Sequence, residues 1–169
     1  MASQASIRRP AATRLKAREP APPPYAIAAT TLPDFVVDAS VSAAWFLPDE
    51  TTPYTAAALR ATATAQVWVP TLWTLEVANL LQSAQRRRRI SAGKRLELAA
   101  AAGALRLQVC REPLALVTLD ALTAEHALSA YDACYLELAQ RRRLPLATLD
   151  QDLLKAMRRC GVPLAALPI

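Results

Sequence analysis

The sequence is poor in the residues that many catalytic and metal sites use. Its 169 residues include one histidine, His126, and three cysteines, Cys110, Cys134 and Cys160. A single histidine cannot build a histidine-rich zinc site, and the cysteines have the spacing of neither a metal-binding motif nor a disulfide framework. We therefore expect buried, reduced thiols in a cytoplasmic protein, and a site whose chemistry depends on other side chains.

Glycine and long apolar runs are also scarce. The chain has 3 glycines, while hydrophobic residues make up 53% of it and charged residues 20%. This composition favours helices over a turn-rich all-β fold. No apolar stretch reaches the roughly 18 residues needed to cross a bilayer. We predict a globular domain that does not associate with a membrane.

Residues 1–33 differ in composition from the rest of the chain. They hold five of the 20 basic residues and one of the 14 acidic residues, with many Ala and Pro and no apolar periodicity. Such a segment buries too little apolar surface to offset the entropy lost on ordering. We predict a disordered Ala/Pro/Arg-rich extension over residues 1–33, or alternatively a transit peptide, and a folded domain over residues 34–169.

Short apolar runs alternate with helical segments from residue 34 onward. The predicted strands are FVVD, QVWVP, LALVTLD, LPLATLD and VPLAAL. The predicted helices are ASVSAAWFL, TTPYTAAALRATA, TLWTLEVANLLQSAQRRRR, ISAGKRLELAAAAGALR, ALTAEHALS, YDACYLELAQRRR and DLLKAMRRCG. Thr71 and Ser91 are candidate N-caps, and Gly161 is a candidate helix stop. The alternation predicts an α/β fold, a three-layer α/β/α sandwich with a mostly parallel central sheet.

Four acidic residues stand where such a fold builds its sites. Asp38 and Asp150 end two predicted strands, and ligands of parallel sheets bind beyond the carboxyl ends of the strands. Glu76 and Asp132 lie in the helical segments LWTLEVANLL and SAYDACYLELA. Carboxylates that converge repel one another unless a proton or a cation neutralises them. Oxygen ligands suit Mg²⁺ or Mn²⁺, which can activate water against a phosphodiester.

Each acid also has a structural interpretation. Asp38 and Asp150 could cap the helices that follow them. Asp132 comes three residues after Ser129, which is the spacing of a capping box. Glu76 has leucines one turn before and one turn after it, so it has no charged partner on its own helix face. It is either solvent-facing or functional.

The four acids occur in order within the short motifs VDAS, LEVAN, YDA and TLD. These motifs lie in the longer segments FVVDASVSAAWFLPDE, VPTLWTLEVANLLQSAQRRRRIS and LSAYDACYLELAQRRRLPLATLDQDLLKAM. In these motifs and segments, the chain from about residue 34 to 167 resembles PIN-domain ribonucleases of the VapC type, which are the toxins of VapBC toxin–antitoxin systems. The resemblance implies a metal-dependent endoribonuclease of PIN-like fold.

The resemblance also implies roles for individual residues. The acidic site around Mg²⁺ or Mn²⁺ comprises Asp38, Glu76, Asp132 and Asp150, with Asp38 and Asp132 as the expected direct ligands. Glu76 and Asp150 are expected to act through water. The secondary candidates are Ser40, Asn79, Thr148 and Asp152; of these, Asp152 could instead cap a helix, and Ser40 and Thr148 could instead satisfy nearby backbone groups. Asp120 lies in VTLD, which has the same three letters as the TLD motif, and we assign it to helix capping.

The partners expected from the resemblance are an RNA substrate, a cognate antitoxin that covers the acidic groove, and a second copy of the chain in a homodimer or a larger toxin–antitoxin assembly. The clusters Arg86–Arg89 and Arg141–Arg143 could contact RNA phosphates or simply complement helix ends. A non-catalytic PIN-like RNA- or protein-binding module is the alternative. An aspartate-nucleophile phosphohydrolase is disfavoured, because Ser40 stands where that chemistry needs a second acid.

Overall fold

The computed structural model describes residues 32–169, so the extension predicted for residues 1–33 lies almost wholly outside the described residues and stays a prediction. The strands are β1 (Phe35–Val37), β2 (Val67–Pro70), β3 (Leu107–Cys110) and β4 (Leu146–Ala147). The α-helices are α1 (Ala39–Ala43), α2 (Pro53–Ala61), α3 (Leu72–Arg86), α4 (Ala92–Ala104), α5 (Leu116–His126), α6 (Ala130–Arg142) and α7 (Gln151–Cys160), and a 3₁₀-helix covers Pro48–Glu50.

The four strands form one parallel sheet in the order β3-β2-β1-β4. In β1, Phe35 pairs with Val67 of β2, and Val37 pairs with Ala147 of β4. The chain moves outward from β1 to β3 and then returns to the other side of β1 for β4. The direction of winding therefore reverses between β1 and β4, which opens a crevice at the carboxyl ends of these strands.

Two apolar clusters lie on opposite faces of the sheet. Phe35 and Val37 face a cluster built with α1 to α4, whereas Val36 between them faces a cluster built with α5 to α7. All three side chains are buried, as expected for a central parallel strand covered on both faces. The predicted three-layer α/β/α architecture is confirmed.

The third strand is not the one that the sequence predicted. The segment LALVTLD is not a strand; its residues from Leu116 onward begin helix α5, and the true strand is LQVC in β3. In this edge strand the polar Gln108 is exposed and interrupts the apolar run, and Leu107 and Val109 are only half-buried. Leu116 and Val117 are 79% and 76% exposed, so their apolar character does not reflect a buried strand.

Two further predictions about local structure were wrong. Asp120 is exposed in the interior of α5 and does not cap a helix. The predicted final strand VPLAAL forms only one bridge, in which Leu164 pairs with Leu146 of β4. This short contact still extends the parallel sheet beyond β4.

Most helix ends follow the expected capping chemistry. The Ser91 side chain accepts a hydrogen bond from the backbone N–H of Lys94 at the start of α4. Gly161 ends α7 in the left-handed region with φ of 72°, where glycine has no steric cost. Thr71 occupies the N-cap position of α3, but its side chain makes no capping hydrogen bond.

The sequence predicted buried, reduced thiols, and the structure buries one of the three. All three cysteines are free thiols; Cys110 is buried, and Cys134 and Cys160 are half-buried. No helix in the described part of the chain combines the length and apolar character that a membrane span requires.

Candidate active site

Asp38 lies in the crevice between β1 and β4, at the point where the winding of the sheet reverses. It follows β1 directly, and its backbone N–H donates to the carbonyl of Ala147 in β4 over 2.9 Å. Asp38 stands at the N-cap position of α1, but its side chain makes no capping hydrogen bond. The carboxylate is therefore placed by the sheet and does not serve as a helix cap.

Two hydroxyl groups hold the Asp38 carboxylate. Ser40 Oγ donates to Asp38 Oδ2 over 2.5 Å, and Thr148 Oγ1 donates to the same oxygen over 2.8 Å. The residue is only 3% exposed. Burial raises the pKa of Asp38, the two hydroxyl groups oppose that rise, and the charge of Asp132 adds to it.

The same two hydroxyl groups also bind the backbone of the TLD motif, which connects the motif to Asp38. Ser40 Oγ accepts the backbone N–H of Leu149 over 2.9 Å, and Thr148 Oγ1 accepts the backbone N–H of Asp150 over 3.0 Å. Ser40 and Thr148 therefore satisfy backbone groups, which is one of the two interpretations from the sequence, and they also hold Asp38.

Glu76 points toward the same region from α3. Tyr135 of α6 donates a hydrogen bond of 2.5 Å to Glu76 Oε2. Burial raises the pKa of Glu76; the Tyr135 hydrogen bond opposes this, and the charges of Asp38 and Asp132 raise it further. The charge of Asp132 on α6 thus acts on both Asp38, which follows β1, and Glu76 on α3.

Asp132 lies in the first turn of α6, where the helix dipole favours a negative charge. Its backbone N–H donates to Ser129 Oγ over 3.1 Å, so the predicted cap is present. Ser129 Oγ in turn donates to Asp132 Oδ2 over 2.6 Å. The carboxylate is thus held by the Ser129 hydroxyl, while it acts on the pKa values of Asp38 and Glu76.

Asp150 and Asp152 are placed differently from the other acids. Asp150 Oδ1 accepts the backbone N–H groups of Asp152 and Leu153, which caps α7 as the structural interpretation expected. Asp152 is exposed and accepts a hydrogen bond of 2.8 Å from Lys155. Asp150 is joined to Asp38 only through the Thr148 hydroxyl, and Asp152 has no such link among the described residues.

Asn79 lies three residues after Glu76 on α3 and is exposed. It lines a groove of about 510 Å³ together with Glu76, Leu75 and Tyr131. The structure thus places Asn79 beside the acids without any direct contact to Asp38.

The three converging acids fit a hydrated divalent cation. Within residues 32–169, no group of three or more His, Cys, Asp or Glu side chains is arranged so that it could enclose a metal ion. Mg²⁺, however, commonly binds one or two carboxylates and keeps several waters. The donors are oxygen only, and a cation would offset both the burial that chiefly raises the pKa values of Asp38 and Glu76 and the smaller repulsion from Asp132.

The first arginine cluster is partly neutralised within the chain. Arg89 forms ion pairs with Asp49 at 2.7 Å and with Glu50 at 2.8 Å. Arg86 lies in the last turn of α3, where a cation complements the helix dipole. These contacts support the helix-end interpretation for this part of the cluster.

The second arginine cluster, Arg141–Arg143, also makes contacts within the fold. Arg141 and Arg142 both pair with Glu112, and Arg142 stacks over the Trp68 ring with 3.5 Å between the guanidinium carbon and the ring centroid. Arg143 is in the left-handed region at the end of α6. Two of the three arginines in this cluster, Arg141 and Arg142, therefore make contacts within the fold.

Tyr135 is the contributor to the site that the sequence did not predict. It lies one helical turn after Asp132, so the two residues share a face of α6. This spacing is the signal that could have identified Tyr135. However, a tyrosine on an apolar helix is equally well interpreted as a residue of the hydrophobic core.

Comparisons with known proteins agree with this architecture. A family model described as PIN domain matches residues 35–159. Among solved structures, the chain is similar to PAE2754 from Pyrobaculum aerophilum, whose crystal structure is 23% identical, with a TM-score of 0.54 over 76% of this chain and 87% of that chain. That likeness shows the fold alone. A comparison with curated proteins found no match. Because the family model matches well over half of this chain, the chain belongs to the PIN-domain family.

Proposed function

We propose that this protein is a Mg²⁺- or Mn²⁺-dependent endoribonuclease that hydrolyses RNA phosphodiester bonds in the cytoplasm. PIN domains are generally nucleases that use divalent metal ions. The observation that carries the proposal is the buried Asp38 carboxylate, whose pKa is raised by burial and by the neighbouring charge of Asp132. A chain that crowds acids in this way gains from a bound cation.

The residues would divide the work as follows. Asp38 and Asp132 would hold the cation, with Glu76 and Asp150 acting through water. When bound, the cation supplies a metal-activated water and charge stabilisation at the phosphate. Ser40 and Thr148 hold Asp38, and Tyr135 holds Glu76. Since water attacks in place of the ribose 2′-hydroxyl, the products carry a 3′-hydroxyl and a 5′-phosphate.

The experiment that tests this function is cleavage of total RNA by the purified full-length chain, freed of bound protein. Reactions with Mg²⁺, with Mn²⁺ and with chelator are compared for the wild type and for Asp38→Asn. Asp120→Asn is the matched control, because Asp120 also follows the letters TL but lies exposed on α5. We expect Asp38→Asn to lose at least about 100-fold in rate, the scale of several kcal/mol of metal stabilisation.

Two results would count against the proposal. Cleavage that persists in chelator, or that is equal in wild type and Asp38→Asn, would mean that the acids do not carry the reaction. The other is stable RNA binding without metal-dependent cleavage. This would favour the non-catalytic RNA- or protein-binding module.

We further propose that the enzyme is the toxin of a type II toxin–antitoxin pair and that it forms a homodimer. The support is the order of the motifs VDAS, LEVAN, YDA and TLD. An arginine from an antitoxin would find a ready acceptor in the crowded carboxylates. Expression of the chain in a bacterium is expected to arrest growth, and Asp38→Asn is expected to relieve the arrest. Growth that is unaffected by the wild-type chain would contradict the toxin role.

A further inference from the structure

We propose that the groove beside Glu76 binds one unstacked base of single-stranded RNA next to the bond that is cut, with Tyr131 as its stacking surface. This inference rests on the RNA cleavage proposed above and names a specificity-determining subsite for it.

The groove reaches one of the acids, Glu76. Leu75 immediately precedes Glu76 on α3, and Tyr131 immediately precedes Asp132 on α6. Both Leu75 and Tyr131 line the groove, and so does Glu76. A base is attached to the sugar beside the scissile phosphate. A phosphate bound at a cation beside Glu76 and Asp132 would therefore bring a flanking base to this groove.

The walls have the character of a base-binding site. Leu75 and Tyr131 are 67% and 65% exposed, although both side chains are large and apolar. Burial of such surface is favourable, and an aromatic ring stacks on the face of any base. The volume of about 510 Å³ leaves room for one base and its sugar.

Polar groups on α3 could read the edge of the base. Asn79 and Ser83 line the same groove. The Asn79 side chain is exposed, so its amide offers both a donor and an acceptor. Sequence-selective RNA recognition commonly combines stacking of an unstacked base with hydrogen bonds of this kind.

The charges of the groove favour a base over the phosphate backbone. Among the described residues, Glu76 is the one charged residue that lines it, and no lysine or arginine of residues 32–169 does. A backbone track would need cations. A neutral base can instead occupy the apolar part, while its phosphate lies at the cation held by the acids.

Binding is measured first in the full-length wild-type chain with Ca²⁺ in place of Mg²⁺, so that the acids can still hold a cation while cleavage does not intervene. The probe is a fluorescein-labelled 10-nucleotide single-stranded RNA of mixed A, C and U, followed by fluorescence anisotropy. Adding Tyr131→Ala is expected to weaken binding about 5- to 100-fold, as for the loss of one base–aromatic stack. Tyr131→Phe keeps the ring and is expected to retain the affinity. Leu96→Ala, which removes another exposed leucine, on α4, is the matched control and is expected to change nothing.

The salt dependence of binding gives a second readout. Because Tyr131→Ala removes no phosphate contact, the slope of affinity against salt is expected to stay the same. Matching thermal midpoints for Tyr131→Ala and Tyr131→Phe confirm that both variants are folded.

Cleavage patterns give the third readout. With Mg²⁺ in place of Ca²⁺, a pool of random-sequence RNA is cut by the wild type and by Tyr131→Ala, and the new ends are sequenced. A base preference beside the cut that is lost in Tyr131→Ala supports the subsite. An unchanged pattern together with unchanged affinity overturns it.

Failure of the subsite and failure of the nuclease proposal are distinguishable. If the wild type cleaves RNA and Tyr131→Ala alters neither affinity nor pattern, the subsite alone is wrong. If the wild type does not cleave but Tyr131→Ala weakens RNA binding, the nuclease proposal is wrong and the base site stands. If Tyr131→Ala changes the oligomeric state by light scattering and leaves RNA affinity intact, the groove is a protein interface and the proposal is overturned.

Discussion

The hydroxyl of Tyr135 donates a hydrogen bond of 2.5 Å to Glu76 Oε2, and so joins α6 to α3. These helices pack on opposite faces of the sheet, and the bond spans 59 positions of sequence. Tyr135 is fully buried, so its position is set by the core. The contact thus ties the orientation of a candidate catalytic acid to the packing of the domain.

Tyr135→Phe is expected to weaken Mn²⁺ binding about 10- to 100-fold, because groups that orient a metal site act on affinity at this scale. The free energy of unfolding is expected to fall by about 1 to 3 kcal/mol, since a hydrogen bond to a charged group is lost. Calorimetric Mn²⁺ titration and urea unfolding measure the two effects.

Tyr54→Phe is the control for that variant. Tyr54 donates to the carbonyl of Ala165 over 3.2 Å, so its loss also removes one tyrosine hydrogen bond. We expect Tyr54→Phe to lower stability but to keep Mn²⁺ affinity. Equal losses of Mn²⁺ affinity in both variants would show that Tyr135 acts only through stability.

Asp38→Asn is expected to raise the free energy of unfolding at neutral pH when a chelator is present. The folded protein holds the pKa of Asp38 above its ordinary value of 3.8, mainly because the carboxyl is buried. As pH rises from near 3.8, the unfolded chain ionises first, so the stability associated with protonated Asp38 is lost as the pH passes the folded pKa. The advantage of Asp38→Asn is therefore expected to grow with pH and to vanish below pH 3.8.

Urea unfolding at a series of pH values measures this difference. Asp120→Asn, on an exposed face, is expected to change stability by no more than about 0.5 kcal/mol. If Asp38→Asn is less stable than the wild type at neutral pH without metal, then the Asp38 carboxylate is not a source of electrostatic strain.

Variants of Asp150 test whether its side chain only caps α7 or also contributes to catalysis. Asp150→Ala removes the side-chain acceptor for two backbone N–H groups of α7 and is expected to cost about 0.5 to 2 kcal/mol. Asp150→Asn keeps an acceptor oxygen, so thermal unfolding is expected to be nearly that of the wild type.

Cleavage rates then test the charge of Asp150. If Asp150 acts on the cation through water, Asp150→Asn is expected to lose about 10- to 100-fold in rate despite its intact cap. Wild-type cleavage by Asp150→Asn would leave Asp150 with a structural role only.

Gly161→Ala tests a purely structural feature. Gly161 has φ of 72°, and a Cβ atom there would meet no other atom within 4 Å. We expect the left-handed backbone to cost alanine about 1 to 2 kcal/mol. Thermal unfolding measures the loss, while RNA cleavage below the unfolding transition is expected to match that of the wild type. An unchanged thermal midpoint would contradict this assignment of strain.

Local sequence predicted much of this fold because the relevant signals lie within a few residues of one another. FVVD ends in an acid after a buried strand, Ser91 begins a helix, and Gly161 ends one. The error at β3 has an equally local cause. LALVTLD has the stronger apolar run, yet LQVC is the segment that pairs with β2 over four residues. Strand pairing is decided by the partner strand, which a local pattern does not contain.

The α/β architecture and the four candidate acids could be predicted from the sequence, because strand ends and helix turns can bring such residues to one edge of a parallel sheet. How each acid is held depends on the folded chain. Asp38 meets Thr148 across 110 positions of the chain, Glu76 meets Tyr135 across 59, and Asp150 caps its own helix. These differences arise because the environment of a carboxylate depends on side chains brought together by packing, and packing is a property of the whole fold.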